Sequence, residues 1–184
     1  MRVIAGEARS LPLKAPAGTT TRPTTDRIKE TLFNMLQNQL ADSVFIDIFS
    51  GSGGIGIEAI SRGARKAYFI ESDRQALSCI RENLNFTKFS DRGEILAGDA
   101  LTAIHGIKET ADFIFLDPPY DSGLEIEVLT ALLHKNFVDE DTLFIVESDI
   151  NKDVSDYTNL GFILNKEKKY KSNKHVFLYK KIEE

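Results

Sequence analysis

Apolar positions change their spacing along this chain, and the changes mark the elements. Arg2–Ala5 reads as a short strand, with Leu11-Pro12-Leu13 as a candidate partner. Pro12, Pro16, Pro23 and Gly18 argue against helix over this stretch. A helix is predicted from Thr24 or Thr25, either of which can cap it, to about Asn38. Ile28, Leu32, Met35 and Leu36 give it one apolar face, and Asp26 places an acid in its first turn. From residue 44 strands and helices alternate. The predicted strands are Val44–Ile48, Ala67–Glu71, Glu94–Ala97, Asp112–Asp117 and Thr142–Ser148. The predicted helices are Gly54–Ser61, Arg74–Phe86, Ala100–Ile107, Leu124–Leu133 and Asp153–Asn159. Phe162–Tyr170 and His175–Lys180 read as a closing hairpin turned by Lys171–Lys174.

That alternation predicts parallel strands joined by right-handed helical crossovers. The final hairpin requires one antiparallel strand. The expected fold class is therefore α/β, a seven-stranded mixed sheet with an antiparallel C-terminal strand. Residues 1–40 are expected to be an N-terminal extension and residues 41–184 the main domain. At 184 residues the chain is the size of one compact domain. Its single cysteine, Cys79, permits no internal disulfide, no apolar run reaches membrane-span length, and no signal peptide is expected. A cytoplasmic setting is expected.

Charge adds a division that the net value of −5 hides. Residues 1–31 carry +3 and residues 166–181 carry +6, while residues 32–165 carry −12. Two basic ends could converge on one face and attract a polyanion, or could simply be solvated lysines.

The junction after the first parallel strand reads Asp47-Ile48-Phe49-Ser50-Gly51-Ser52-Gly53-Gly54-Ile55-Gly56. Its glycines allow a sharp turn and close approach of a ligand to backbone. Glu71, twenty residues past Gly51 at the end of the next strand, can bind ribose hydroxyls. Gly51, Gly53 and Gly56 satisfy G-x-G-x-x-G, which alone does not separate a dinucleotide from S-adenosylmethionine. Asp47 shifts the balance, because its carboxylate would repel a pyrophosphate and attract a cationic amino-acid moiety. Asp99, before Ala100, is either an adenine contact or a helix cap.

Asp117-Pro118-Pro119-Tyr120 is the most specific signal. The apolar strand Phe113–Leu116 delivers it at a carboxyl end, where open α/β sheets bind ligands. The prolines remove two amide donors and leave acceptors beside one aromatic ring. Asp117 and the Pro118 carbonyl suit a planar amine, and Tyr120 can stack on its ring. Accepting both amine hydrogens localises the nitrogen lone pair toward a methyl donor. No metal is required.

Asp47–Gly56 together with Asp117–Tyr120 resembles class I S-adenosylmethionine-dependent N-methyltransferases, with their Rossmann-like fold. More closely, the chain is similar to the bacterial family that methylates N2 of a guanine in 16S ribosomal RNA, guanine 966 in that RNA's numbering. The likeness spans nearly the whole chain. It includes Arg2–Gly6, Arg22–Arg27, Glu30–Asn34, Ser61–Ala64 and Lys169-Tyr170. It implies that Asp47, Gly51 and Gly53 line the methionine end of S-adenosylmethionine, that Glu71 holds the ribose, and that Asp99 and Ala100 meet the adenine. It further implies that Asp117, Pro118 and Tyr120 hold the guanine, and that Arg22 and Arg27 contact RNA. Lys171 departs from the glycine common after this Lys-Tyr pair. The implied partner is 16S RNA within a small-subunit assembly particle, bound by a monomer without metal or membrane.

Three rival functions are separable. An adenine-N6 DNA methyltransferase shares Asp-Pro-Pro-Tyr but usually needs a target-recognition domain for which 184 residues leave little room. An NAD-dependent oxidoreductase has no use for Asp117–Tyr120. A non-catalytic RNA-binding scaffold would not bind S-adenosylmethionine. His105, His134 and His175 have no metal-ligand spacing, and Phe33, Phe45, Phe49, Phe69 and Cys79 read as core. Asp73 reads as a helix cap.

Overall fold

The computed structural model describes residues 1–16, 25–119 and 122–182. One sheet organises it. The strands are β1 (Val44–Ile48), β2 (Lys66–Glu71), β3 (Gly93–Ala97), β4 (Phe113–Leu116), β5 (Leu143–Asp149), β6 (Phe162–Lys169) and β7 (Asn173–Lys180). The helices are α1 (Asp26–Leu36), α2 (Gly54–Ser61), α3 (Arg74–Thr87), α4 (Ala100–Ala103), α5 (Leu124–Leu132) and α6 (Ser155–Asn159). Strand order is β3-β2-β1-β4-β5-β7-β6. The pairs from β3 through β5 are parallel, and β7 runs antiparallel to both neighbours.

The inner strands β1, β2, β4 and β5 bury both faces, which is why they read as nearly unbroken apolar runs. One face packs Leu32, Phe33 and Leu36 of α1, Ile57 and Ile60 of α2, and Ile80 and Leu84 of α3 against Phe45, Phe69, Phe115 and Phe177. The other packs Ile104, Val128, Leu132 and Tyr157 against Ile46, Ile70, Ile114 and Val176. Caps match the side chains available. Thr25 accepts from the Ile28 amide at 3.3 Å, and Asp73 accepts from the Ala76 amide at 2.8 Å.

The N-terminal strand expectation needs correction. Arg2–Ala5 and Leu11–Leu13 form an irregular hairpin with one bridge, Arg2 to Pro12. Proline has no amide to extend a ladder. Three backbone bonds remain, from the Val3, Ser10 and Leu13 amides to the Leu11, Val3 and Met1 carbonyls, and side chains reinforce them. Both oxygens of the fully buried Glu58 accept from the Ile4 and Ala5 amides, at 2.8 and 3.0 Å. The same carboxylate meets Arg62 at 2.7 Å and the buried Lys29 ammonium at 3.4 Å. Burial pushes Lys29 down from the ordinary lysine range. Gly6 sits at φ +82, with Ser61 backbone so close that a Cβ would overlap it. The predicted helix Ala100–Ile107 is also shorter, its second half tightening into a 3-10 turn at Ile104–Gly106.

Candidate active site

Strand order reverses between β1 and β4, since β2 lies on one side of β1 and β4 on the other. Such a switch point opens a crevice at the strands' carboxyl ends. The glycine turn leaves β1 and Asp117 leaves β4, so both motifs stand at this crevice. The Asp117 amide donates to the Ile48 carbonyl at 3.4 Å, tying the second motif to the foot of the first.

The turn is built around two carboxylates. Asp47 is buried and accepts from the Gly56 amide at 2.9 Å, which fixes the start of α2. Glu71 accepts from the Gly51 amide at 2.8 Å, and its other oxygen accepts from the Ser72 and Asp73 amides. Gly51 and Gly53 adopt φ of +54 and +79, which disfavour a side chain. A Cβ on Gly51 would enter open space, whereas one on Gly56 would strike the Phe69 ring at 2.4 Å. Phe49 also has a positive φ, +63, which is strained for an aromatic residue and common at ligand sites.

A cavity of about 120 Å³ adjoins the turn, lined by Phe49, Ile70, Glu71, Ser72, Gly98, Asp99, Ala100, Leu101, Leu124 and Val128. Glu71, Asp99 and Ala100 thus share one wall. Asp99 also caps α4, accepting from the Thr102 amide at 3.0 Å, and these bonds hold its carboxyl below the usual range. Phe33, Phe45 and Phe69 are fully buried as core, whereas Phe49 is only partly buried, packing against the core and also lining the cavity. Cys79 is likewise half-exposed, and burial raises its thiol. Leu101, Leu124 and Val128 were not legible as site residues, because apolar helix positions look alike in sequence. A larger, shallow depression of about 430 Å³ lies by Gln39, Asp112, Phe113, Glu140, Asp141 and Tyr179. It is at the other end of the strands and contains none of the motif residues. The smaller cavity is the one with converging chemistry.

Burial drives Asp47 up from 3.8 to about 7, the Gly56 bond opposes this, and the Glu71 charge adds to it. Asp117 is pushed well above the ordinary carboxyl range by burial, then by the charges of Glu147 and Asp47. Asp47 and Glu147 thus both act on Asp117 through their charge. Pro118 is buried beside Asp117, and the Pro119 carbonyl is taken by the Ser122 hydroxyl at 2.7 Å. Arg27 is exposed on α1. Tyr120 and Arg22 lie outside the described residues.

The N-terminal hairpin reaches this site. Asn83 of α3 donates to the Lys14 and Ser52 carbonyls, each at 2.9 Å, and accepts from the Lys14 amide. The Met1 thioether packs against Gly54, where a Cβ would come within 2.7 Å of sulfur.

S-adenosylmethionine fits this donor set better than a dinucleotide. The turn offers carboxylates where a pyrophosphate would need positive groups, and Gly51 leaves room for a ligand to approach backbone.

Fold and site together define an α/β methyltransferase. The chain belongs to the family described as Conserved hypothetical protein 95, whose model matches residues 1–180. It is 39% identical over 152 residues to "Putative rRNA methyltransferase YlbH" of Bacillus subtilis, covering 81% of this chain and 83% of the relative. It is 34% identical over 150 residues to "Ribosomal RNA small subunit methyltransferase D" of Escherichia coli, covering 82% and 75%. The solved structure "Putative methyltransferase yhhF from Escherichia coli" superposes with a TM-score of 0.85 at 30% identity, over 100% of this chain and 99% of that one.

Proposed function

We propose that this protein transfers a methyl group from S-adenosylmethionine to the exocyclic N2 of a guanine in 16S ribosomal RNA, guanine 966 in that RNA's numbering. The family relation supports the ribosomal substrate, and the site supports the amine chemistry. The observation that carries the reading is the pairing of the glycine turn with Asp117-Pro118 across one switch point.

Asp47, Gly51 and Gly53 hold the methionine end of the cofactor, Glu71 the ribose, and Asp99 with Ala100 the adenine. Bound there, S-adenosylmethionine supplies an electrophilic methyl group. Asp117 accepts one hydrogen of the target amine and the Pro118 carbonyl accepts the other. Tyr120 covers the base, which must leave its stack to reach this depth. The raised basicity of the Asp117 carboxylate suits it to receive the proton that the amine sheds once methylated. Arg22 and Arg27 meet RNA phosphates. The protein acts as a cytoplasmic monomer on a small-subunit assembly particle. No helix among the described residues is long and apolar enough to cross a membrane.

The test is a mass map of 16S RNA from cells lacking this gene. Loss of one methylguanine, restored by the wild-type gene, is expected. An unchanged methylation map would refute the reading.

A further inference from the structure

One face of the edge strand β6 carries a pattern that the methyl-transfer site does not use. Lys166 and Lys168 are two residues apart on β6 and project to the same side, and Tyr170, just past the strand's end, packs on His175 of that side. Cross-strand partners identify that side. Lys166 stands opposite Phe177, with its ammonium 5.0 Å from the ring centroid, and Lys168 stands opposite His175. Phe177 and Phe115 belong to the apolar layer under α1 and α2, and His175 meets Phe115 edge-on. α6 packs on β6 from the opposite side, through Tyr157, Leu160 and Leu164. Lys166 and Lys168 are exposed and form no ion pair among the described residues, whereas Lys174 of the same hairpin is buried against Glu167.

Tyr170 is held in place. Its ring meets His175 edge-on at 5.1 Å, and its hydroxyl lies 3.1 Å from His175 Nδ1. His175 Nε2 lies 3.1 Å from Glu147, which Asn173 also holds at 2.6 Å. β4 and β5 are in register through Leu116 and Val146, so Asp117 and Glu147 form the next step. A row of side chains therefore runs from Asp117 through Glu147 and His175 to Lys168. Three strand steps at about 4.8 Å place the lysine strip roughly 14 Å from Asp117.

We propose that Lys166, Lys168 and Tyr170 form a docking strip for single-stranded RNA, the lysines taking phosphates and the fixed Tyr170 ring stacking on a base near the extruded target. This rests on the RNA reading above. The partner is single-stranded because a stacking ring needs an unpaired base, and cations interleaved with an aromatic suit a splayed strand.

The experiment measures binding of a short fluorescein-labelled single-stranded RNA by anisotropy over a salt series. The proteins are wild type, Lys166→Ala/Lys168→Ala, Tyr170→Leu, Tyr170→Phe and Lys108→Ala. Lys108, beside Glu94 elsewhere on the surface, is the charge control. Removing two phosphate contacts should lower the salt slope by about 1.4. Tyr170→Leu should weaken binding roughly 5- to 150-fold, with Tyr170→Phe close to wild type. S-adenosylmethionine affinity, measured on the same samples, should not move, which separates loss of the strip from loss of the fold. Wild-type affinity and slope in the lysine and leucine variants would overturn the strip alone. A Tyr170→Phe defect equal to Tyr170→Leu would overturn the stacking role. A wild-type protein that neither binds nor methylates RNA would overturn the functional reading, and the strip with it.

Discussion

Asp47 is the residue on which folding and ligand binding most directly compete. Its carboxyl is buried at the end of β1 with one donor among the described residues, the Gly56 amide, and burial pushes it up from 3.8 to about 7. The native chain thus binds a proton more readily than the unfolded one between those values. Stability from this group is present below pH 4 and is lost as pH rises toward 7, by about 4 kcal/mol. Asp47→Asn keeps an oxygen for Gly56 but removes the titration. Urea unfolding should find the variant close to wild type at pH 4 and more stable by a few kcal/mol at pH 8. Equal stability differences at the two pH values would contradict this account. The same position was legible in sequence from its spacing to Gly51, because a carboxylate before a glycine turn has few other uses. Phe49 was not. An aromatic residue beside apolar neighbours gives no sign of a positive φ, and only the folded turn shows its ring facing the cavity.

The elements divide by how local their causes are. β1 and α2 appear where periodicity and glycines predict them, since a buried strand and a glycine-started helix are specified by adjacent residues. The N-terminal hairpin is held instead by Glu58, more than fifty positions away, and no pattern within residues 1–13 reveals that partner. The consequence is testable. Glu58→Gln removes the carboxylate charge that the buried Lys29 and Arg62 side chains share. Breaking a buried pair costs about 3–5 kcal/mol, which should lower Tm by roughly 10 °C. The hairpin touches the glycine turn through Lys14, Asn83 and Met1, so S-adenosylmethionine affinity should fall in parallel. Calorimetric melting and ligand titration on one sample would check both. A variant that melts with wild type would show that these ion pairs contribute little.

At the scale of the molecule, function follows from strand order. The sequence predicts parallel strands with a closing hairpin, and the structure adds that β1 and β4 are neighbours with helices diverging on either side. That adjacency brings residues 47–56 within reach of Asp117 although more than sixty positions separate them. It also inserts β7 beside β5, which lines up Glu147 and His175 with the site. Pairing across strands distant in sequence is set by the assembled sheet rather than by any local pattern, which is why Glu147 could not be assigned beforehand. The acidic row around Asp117 then matters at this scale, since the charges of Glu147 and Asp47 add to burial in raising its carboxyl above the ordinary range. The most direct test of this account is methyl transfer from labelled S-adenosylmethionine to assembling small subunits by Asp117→Ala, with cofactor binding measured by calorimetry. The account predicts methyl incorporation reduced by at least about 100-fold with cofactor affinity unchanged. Near-normal turnover in that variant would contradict it.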